Sequence, residues 1–202
     1  CADAYLDSIP LMIITGQDRL AHLENNPGVR LNGFQDLDIV SIAAPITKYA
    51  VQITEPGKIG YELEKAFHIA NEGRKGSVLI DVPMDIQFEE VPEEFLHFYP
   101  EENQGGVVKQ EIITDICNEI YASEKPVIIA GGGIHTADAE KELFELVSKT
   151  DIPTVTTLNG HDACSLSLGS SGFYGLPEAN LALYNADLLI ALGTRFGEQQ
   201  AG

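Results

Sequence analysis

An uninterrupted apolar run, Pro126, Val127, Ile128, Ile129 and Ala130, passes directly into Gly131, Gly132 and Gly133, and this junction restricts the available folds more than any other stretch of the chain. A short apolar segment bounded by proline and glycine reads as a strand covered on both faces, the kind found in parallel sheets. Thr136 and Asp138 follow as helix start signals, so the spacing predicts a strand, a glycine turn and a helix. Glycines at such a turn let the backbone approach a phosphate, and the start of the helix offers unpaired N–H groups and the positive end of its dipole. A nucleotide or dinucleotide can sit in such a place. The spacing departs from G-x-G-x-x-G, however, and glycine-rich turns also occur in α/β sheets that bind nothing, so both readings stand.

Similar punctuation recurs along the chain. Residues 10–16, 76–83 and 186–193 are further apolar runs of strand length, expected to be buried, residues 152–157 read as a further strand, and residues 46–53 alternate like a half-buried strand. Between them, Leu37, Val40 and Ile42 mark a short helix before Pro45. Thr54 reads as the N-cap of a longer helix with Pro56 in its first turn, the apolar stripe Ile59, Leu63, Ala66, Phe67 and Ala70, and Gly73 as its stop. Ile112, Ile113, Ile116 and Ile120 mark another helix, Ala139, Leu143, Leu146 and Val147 the buried face of the next, and residues 177–185 a short one. Strands alternating with helices predict an α/β chain with parallel sheets. Residues 87–108, with clustered Glu, Pro and Gly and no sustained period, read as a linker. The expected organisation is therefore two doubly wound domains, residues 1–86 and 109–202. The opening residues look like the end of a helix and the second domain shows only three strands, so both domains are expected to be incomplete parts of a longer protein.

Charge and cysteine content narrow the function classes. The 202 residues carry 31 Asp and Glu against 12 Lys and Arg, a net charge of -19, which repels nucleic-acid backbones and anionic membranes over most of the surface. Neither nucleic acid nor membrane is an expected partner, and no apolar stretch reaches the length of a membrane span. Cys1, Cys117 and Cys164 are far apart and include no C-x-x-C pair, so neither a disulfide framework nor a zinc site is indicated, and a reducing cytoplasm is the expected location. His22, His68, His97, His135 and His161 fall on different elements, which argues against a metal site. Cys164 lies close to His161 in sequence, yet a buried inert thiol is the commoner explanation than a nucleophile.

Three loops follow predicted strands of the second domain at the carboxyl edge of its sheet: residues 131–133, 157–160 and 193–195. Loops so placed line one crevice, and Arg195 can pair with a phosphate there. The plainer alternative has Arg195 capping a helix or meeting the acidic surface. The agreement of the three loops favours a ligand.

Residues 2–10, 14–17, 33–40, 45–48 and 73–87, the last containing Val82, Pro83, Asp85, Ile86 and Gln87, resemble in order the pyrimidine-binding domain of thiamine diphosphate enzymes, nearest the acetolactate synthase group. Residues 126–133, 156–160, 172–175 and 186–196 resemble the central domain of the same family. The resemblance implies a Rossmann-like second domain of the DHS-like NAD/FAD-binding kind, and a parent enzyme that decarboxylates a 2-oxo acid and joins the remaining fragment to a second carbonyl. It also implies thiamine diphosphate with magnesium, held by a Gly-Asp-Gly motif that does not occur here, and an activating glutamate upstream of the position matching Cys1. No catalytic residue is therefore expected in this chain, which alone should be inactive.

Phe34 and Gln35 match a pair lining the substrate site of that family, although Arg30, Leu31, Asn32 and Gly33 stand where it usually has Gly-Thr-Asp-Ala. Gly131, Gly132, Gly133, Thr157, Leu158, Gly175, Gly193 and Arg195 fall at its FAD-binding positions. Tyr174 replaces a histidine, and Phe196, Gly197 and Glu198 replace Phe-Asp-Asp, so FAD binding is expected to be weak or absent, with a vacant pocket at the carboxyl edge. A homodimer or homotetramer is the assembly implied. The alternative from another class is a non-catalytic nucleotide-binding or structural module.

Overall fold

The computed structural model describes residues 1–23, 33, 36–93 and 108–197. The chain divides into two units, Cys1–Gln104 and Gly105–Gly202. Both are α/β, and each is built on a three-stranded sheet whose strands are all parallel.

The first unit runs α1 (Ala2–Leu6), β1 (Leu11–Gln17), α2 (Leu20–Leu23), α3 (Ile39–Ala43), β2 (Tyr49–Gln52), α4 (Ile59–Asn71), β3 (Ser77–Pro83) and α5 (Met84–Gln87). Its strand order is β1-β3-β2, so β3 has a neighbour on each side. That position explains why Val78, Leu79 and Ile80 follow one another without a polar break and are all buried. The expectation that residues 10–16 form a strand buried on both faces is corrected. Among the described residues β1 lies at the edge of the sheet with alternating exposure, and Ile14 is 60% exposed.

α4 lays Ala66 and Ala70 against Val78 and Ile80, with Ile59 and Leu63 packed beside them. The small side chains bring the helix close to the sheet, and they narrow its buried stripe. Phe67, expected on that stripe, is 66% exposed. Thr54 does not cap the helix either. Pro56 holds Glu55 extended, Pro56–Lys58 form a 3-10 turn, and α4 begins at Ile59 without a side-chain cap.

The second unit runs α6 (Gln110–Ala122), β4 (Pro126–Ala130), α7 (Gly133–Thr136), α8 (Glu140–Thr150), β5 (Thr154–Thr156), α9 (Pro177–Asn185) and β6 (Leu188–Leu192). The order β5-β4-β6 puts the apolar run after Pro126 at the centre. Alternation along β4 then feeds two half-cores. Ile128 and Ala130 meet Ile134, Leu143 and Val147 on one face, and Val127 and Ile129 meet Val155 and Ala179 on the other.

Three details depart from the sequence reading. Thr136 and Asp138 start no helix: the glycine turn opens the four-residue α7, Asp138 takes a left-handed conformation at φ 52°, and α8 begins only at Glu140. Leu146 stays partly exposed while Leu143 and Val147 are buried. Among the described residues β6, like β1, lies at a sheet edge, with Leu189 and Ala191 exposed on one face. Among the described residues no helix is long and apolar enough to cross a membrane.

Candidate functional site

In the second unit the loops after β4, β5 and β6 meet at backbone level. The Gly131 N–H donates to Leu192 O at 2.9 Å, extending the β4–β6 pairing, and the Gly133 N–H donates to Gly193 O at 2.8 Å. From the other side the Thr157 N–H donates to Ala130 O at 2.9 Å. No room for side chains remains between these loops. A Cβ on Gly131 would lie 2.5 Å from Gly193 O, one on Gly133 2.6 Å from Gly193 Cα, and one on Gly160 2.7 Å from the Gly131 carbonyl carbon. The glycines therefore let three strand ends close on one another. At Gly133 the N–H at the start of α7 is bonded within the protein.

Gly132 lies between the first two loops, where a Cβ would stand 3.0 Å from Asn159 O. Thr157 is buried, whereas Leu158 and Arg195 are exposed at the rim. Gly175 belongs to a further turn, joined to the end of β5 by the Ser171 hydroxyl, which donates to Thr156 O at 3.1 Å. A Cβ on Gly175 would meet Ser170 O at 2.5 Å. Beside it Tyr174, 87% exposed, stacks edge-on against Phe173 with ring centroids 5.0 Å apart. Of the residues assigned to a cofactor from sequence, Gly131, Gly132, Gly133, Thr157, Leu158, Gly193 and Arg195 thus lie on the three converging loops. Gly175 joins them through β5.

His135, on α7, carries no functional signal in the sequence. Its Nδ1 lies 2.6 Å from Glu140 Oε1 and its Nε2 2.8 Å from Asp162 Oδ1. The bond to Glu140 is the largest influence and raises its pKa above the ordinary histidine value; burial opposes it, and the bond to Asp162 adds to the rise. Both carboxyls are held below their ordinary values, Glu140 chiefly by its bond to His135, and Asp162 chiefly by its own backbone N–H with the His135 bond adding to it. The five-residue spacing to Glu140 has no helical signature, and Asp162 comes from another loop, so little in the sequence points to the arrangement. Among the described residues no group of three His, Cys, Asp or Glu side chains is arranged to hold a metal ion. Cys164 is buried in the apolar core of this unit, beside Ala163.

The opposite, amino-terminal edge of this sheet carries an open cavity of about 300 Å³ lined by Lys125, Pro126, Pro153, Ala182 and Asn185 among others. Near it Asp187 accepts from the Ser123 hydroxyl and from the N–H groups of Glu124 and Lys125.

In the first unit the buried Asp81 carboxyl ties all three strands together. The Thr15 hydroxyl of β1 donates to Oδ1 at 2.7 Å and the Gln52 amide of β2 donates to Oδ2 at 2.8 Å. Just beyond, the Gln17 amide donates to Leu37 O at 2.5 Å, and Asp85 accepts the Leu20 N–H. Gln17 and Leu37 bracket the segment containing Phe34 and Gln35, which themselves lie outside the described residues. A polar residue inside the apolar run around Ile80 is the available sequence signal for Asp81.

Residues 113–202 match the family described as thiamine pyrophosphate enzyme, central domain. Over 98% of its length the chain is 39% identical to the acetolactate synthase large subunit of Lactococcus lactis, covering 34% of that protein. It is 37% identical over its whole length to the acetolactate synthase large subunit of Corynebacterium glutamicum, covering 32% of it. The probable acetolactate synthase large subunit of Methanocaldococcus jannaschii is 35% identical, with 34% covered. The chain thus spans about a third of the length of these relatives.

Proposed function

Because this chain belongs to the thiamine diphosphate-dependent enzymes, as a segment of the acetolactate synthase-like group, we propose that the protein containing it decarboxylates a 2-oxo acid and joins the remaining fragment to a second carbonyl compound. It is then a transferase or lyase. The observation that carries this reading is similarity to acetolactate synthase large subunits at 37–39% identity across 98–100% of the chain. Thiamine diphosphate supplies the electron sink for decarboxylation when bound, and a magnesium ion accompanies its diphosphate.

The role proposed for this chain's own residues is positional. The Asp81 ties to Thr15 and Gln52 hold the strand ends of the first unit in register, and the Gln17 to Leu37 bond closes the base of the segment bearing Phe34 and Gln35. Those two residues are proposed to face the 2-oxo acid. In the second unit, the three converging loops are the proposed remnant of an FAD site. Leu158 and Arg195 at the rim suit an apolar ring and a phosphate. Against this, the Gly133 N–H is already bonded to Gly193 and Tyr174 projects from the neighbouring turn. FAD is therefore expected to bind weakly or not at all. The whole protein is proposed to act in the cytoplasm as a homodimer or homotetramer, supported by the exposed apolar residues of edge strand β1 and helix α6.

The test is carbon dioxide release from pyruvate and several other 2-oxo acids by the complete protein, with and without thiamine diphosphate. Release that requires the cofactor is expected, and none from any substrate would sink the proposal. A flavin absorption band in that preparation, with near-stoichiometric FAD freed on denaturation, would overturn the flavin part alone.

A further inference from the structure

His135 has both ring nitrogens within hydrogen-bond distance of carboxylate oxygens, one on Glu140 of α8 and one on Asp162 of the loop after β5. A neutral imidazole carries one N–H, and an ionised carboxylate can only accept. Both contacts are therefore satisfied together only by the protonated ring, and losing that proton leaves one nitrogen lone pair facing a carboxylate. The two contacts join elements that are otherwise linked through backbone at the turn after β4. The ring is about one-third exposed, so water can replace the lost partner and the opening is local.

We propose that His135 is a pH-controlled clasp, holding the turn after β4 to the loop after β5 when protonated and releasing it when neutral. The groups set against it are Glu140 on α8, and Asp162 with its neighbour His161, whose Nδ1 lies 3.7 Å from the same Asp162 oxygen. The loop after β6 meets this turn through Gly193 and Thr194, neither of which titrates. The raised pKa of His135 agrees in direction. A group whose folded-state pKa is raised stabilises the fold below its unfolded value and loses that contribution as pH rises through the folded one. The clasp is thus closed on the acid side, and it opens as pH rises from about 6.5 through the higher value His135 has in the fold. This inference does not depend on a flavin, a thiamine cofactor or any activity.

The test is made on the complete protein that contains this chain. The His135 imidazole is titrated by NMR between about pH 5 and about pH 9, and backbone amide exchange of residues 134–139, corrected for intrinsic rates, is followed over the same range. His135 is expected to titrate above about 6.5. Protection of those amides should fall by about fivefold with the same midpoint. Glu140→Gln and Asp162→Asn should each lower that midpoint, and His135→Gln should abolish the step in exchange. Titration of His135 at or below the ordinary value, or an exchange step of undiminished size in His135→Gln, would overturn the proposal. The titration of the unsubstituted protein decides it even if a variant folds poorly.

Discussion

Gly133 donates its backbone N–H to Gly193 O across 2.8 Å, and a Cβ on Gly193 would lie 2.6 Å from the N of Ile134. The turns after the central strand and after its edge neighbour are thus in direct backbone contact. Gly193 also sits at φ +61°, where a side chain is strained in any surroundings. Gly193→Ala is expected to destabilise the chain by about 3 kcal/mol, the sum of left-handed strain and backbone overlap. Gly73 provides the control, with a similar φ of +54° and nothing within 4 Å of where a Cβ would stand. Gly73→Ala should cost only about 1 kcal/mol. Urea unfolding of both variants checks the contrast, and equal losses would show that the loop contact contributes nothing.

Asp81 is fully buried and accepts from Thr15 and Gln52 on the two flanking strands. Asp81→Ala removes both acceptors and leaves a hydroxyl and an amide unpaired inside the sheet, an expected loss of about 3 kcal/mol. Asp81→Asn keeps one carbonyl, and the Gln52 amide can turn to present its oxygen, so about 1 kcal/mol is expected. Equal and small effects of the two substitutions in urea titrations would contradict the tie.

Phe67 and Ile80 test where the first core ends. Ile80 is fully buried at the centre of the sheet, and Ile80→Ala should cost about 4 kcal/mol. Phe67→Ala should cost less than about 1 kcal/mol, because the ring lies largely in solvent. A loss at Phe67 matching that at Ile80 would show that the ring is buried in solution.

Two capping carboxyls predict an acid limb. Asp38 is held below its ordinary pKa by the Ser41 hydroxyl and then the Ser41 N–H, and Asp187 by the Ser123 hydroxyl and then the Glu124 N–H. A lowered folded-state pKa contributes stability that is complete above the unfolded value of about 3.8 and disappears as pH falls through the folded one. The urea midpoint should therefore be lower at about pH 3 than at about pH 5. Asp187→Asn should lose less over that interval than the unsubstituted chain, and an identical acid loss would remove Asp187 from the account.

Much of the architecture was legible because it depends on period and punctuation. The apolar runs around Ile128 and Ile80 are central strands, and their uninterrupted hydrophobicity is what two covered faces require. Residues 10–16 and 186–193 look much the same in sequence and, among the described residues, lie at sheet edges, because strand order is decided by tertiary packing that composition does not encode. Thr54 and Asp138 carried helix start signals that local backbone overrode: Pro56 drew a 3-10 turn ahead of α4, and Asp138 adopted a left-handed bend before α8. The glycines of the three loops were readable as a site, but their mutual contact was not, since it joins residues as far apart in sequence as Gly133 and Gly193. The His135, Glu140 and Asp162 cluster escaped because a five-residue spacing has no helical signature and Asp162 comes from a separate loop.

The most direct measurement of the central claim is the identity of the carbon product. The complete protein, supplied with ¹³C-labelled pyruvate, thiamine diphosphate and magnesium, is predicted to yield a new carbon–carbon bond between two pyruvate-derived units, seen as one-bond ¹³C coupling in the product. Pyruvate recovered unchanged, with no coupled product from it or from other 2-oxo acids offered in its place, would contradict the account.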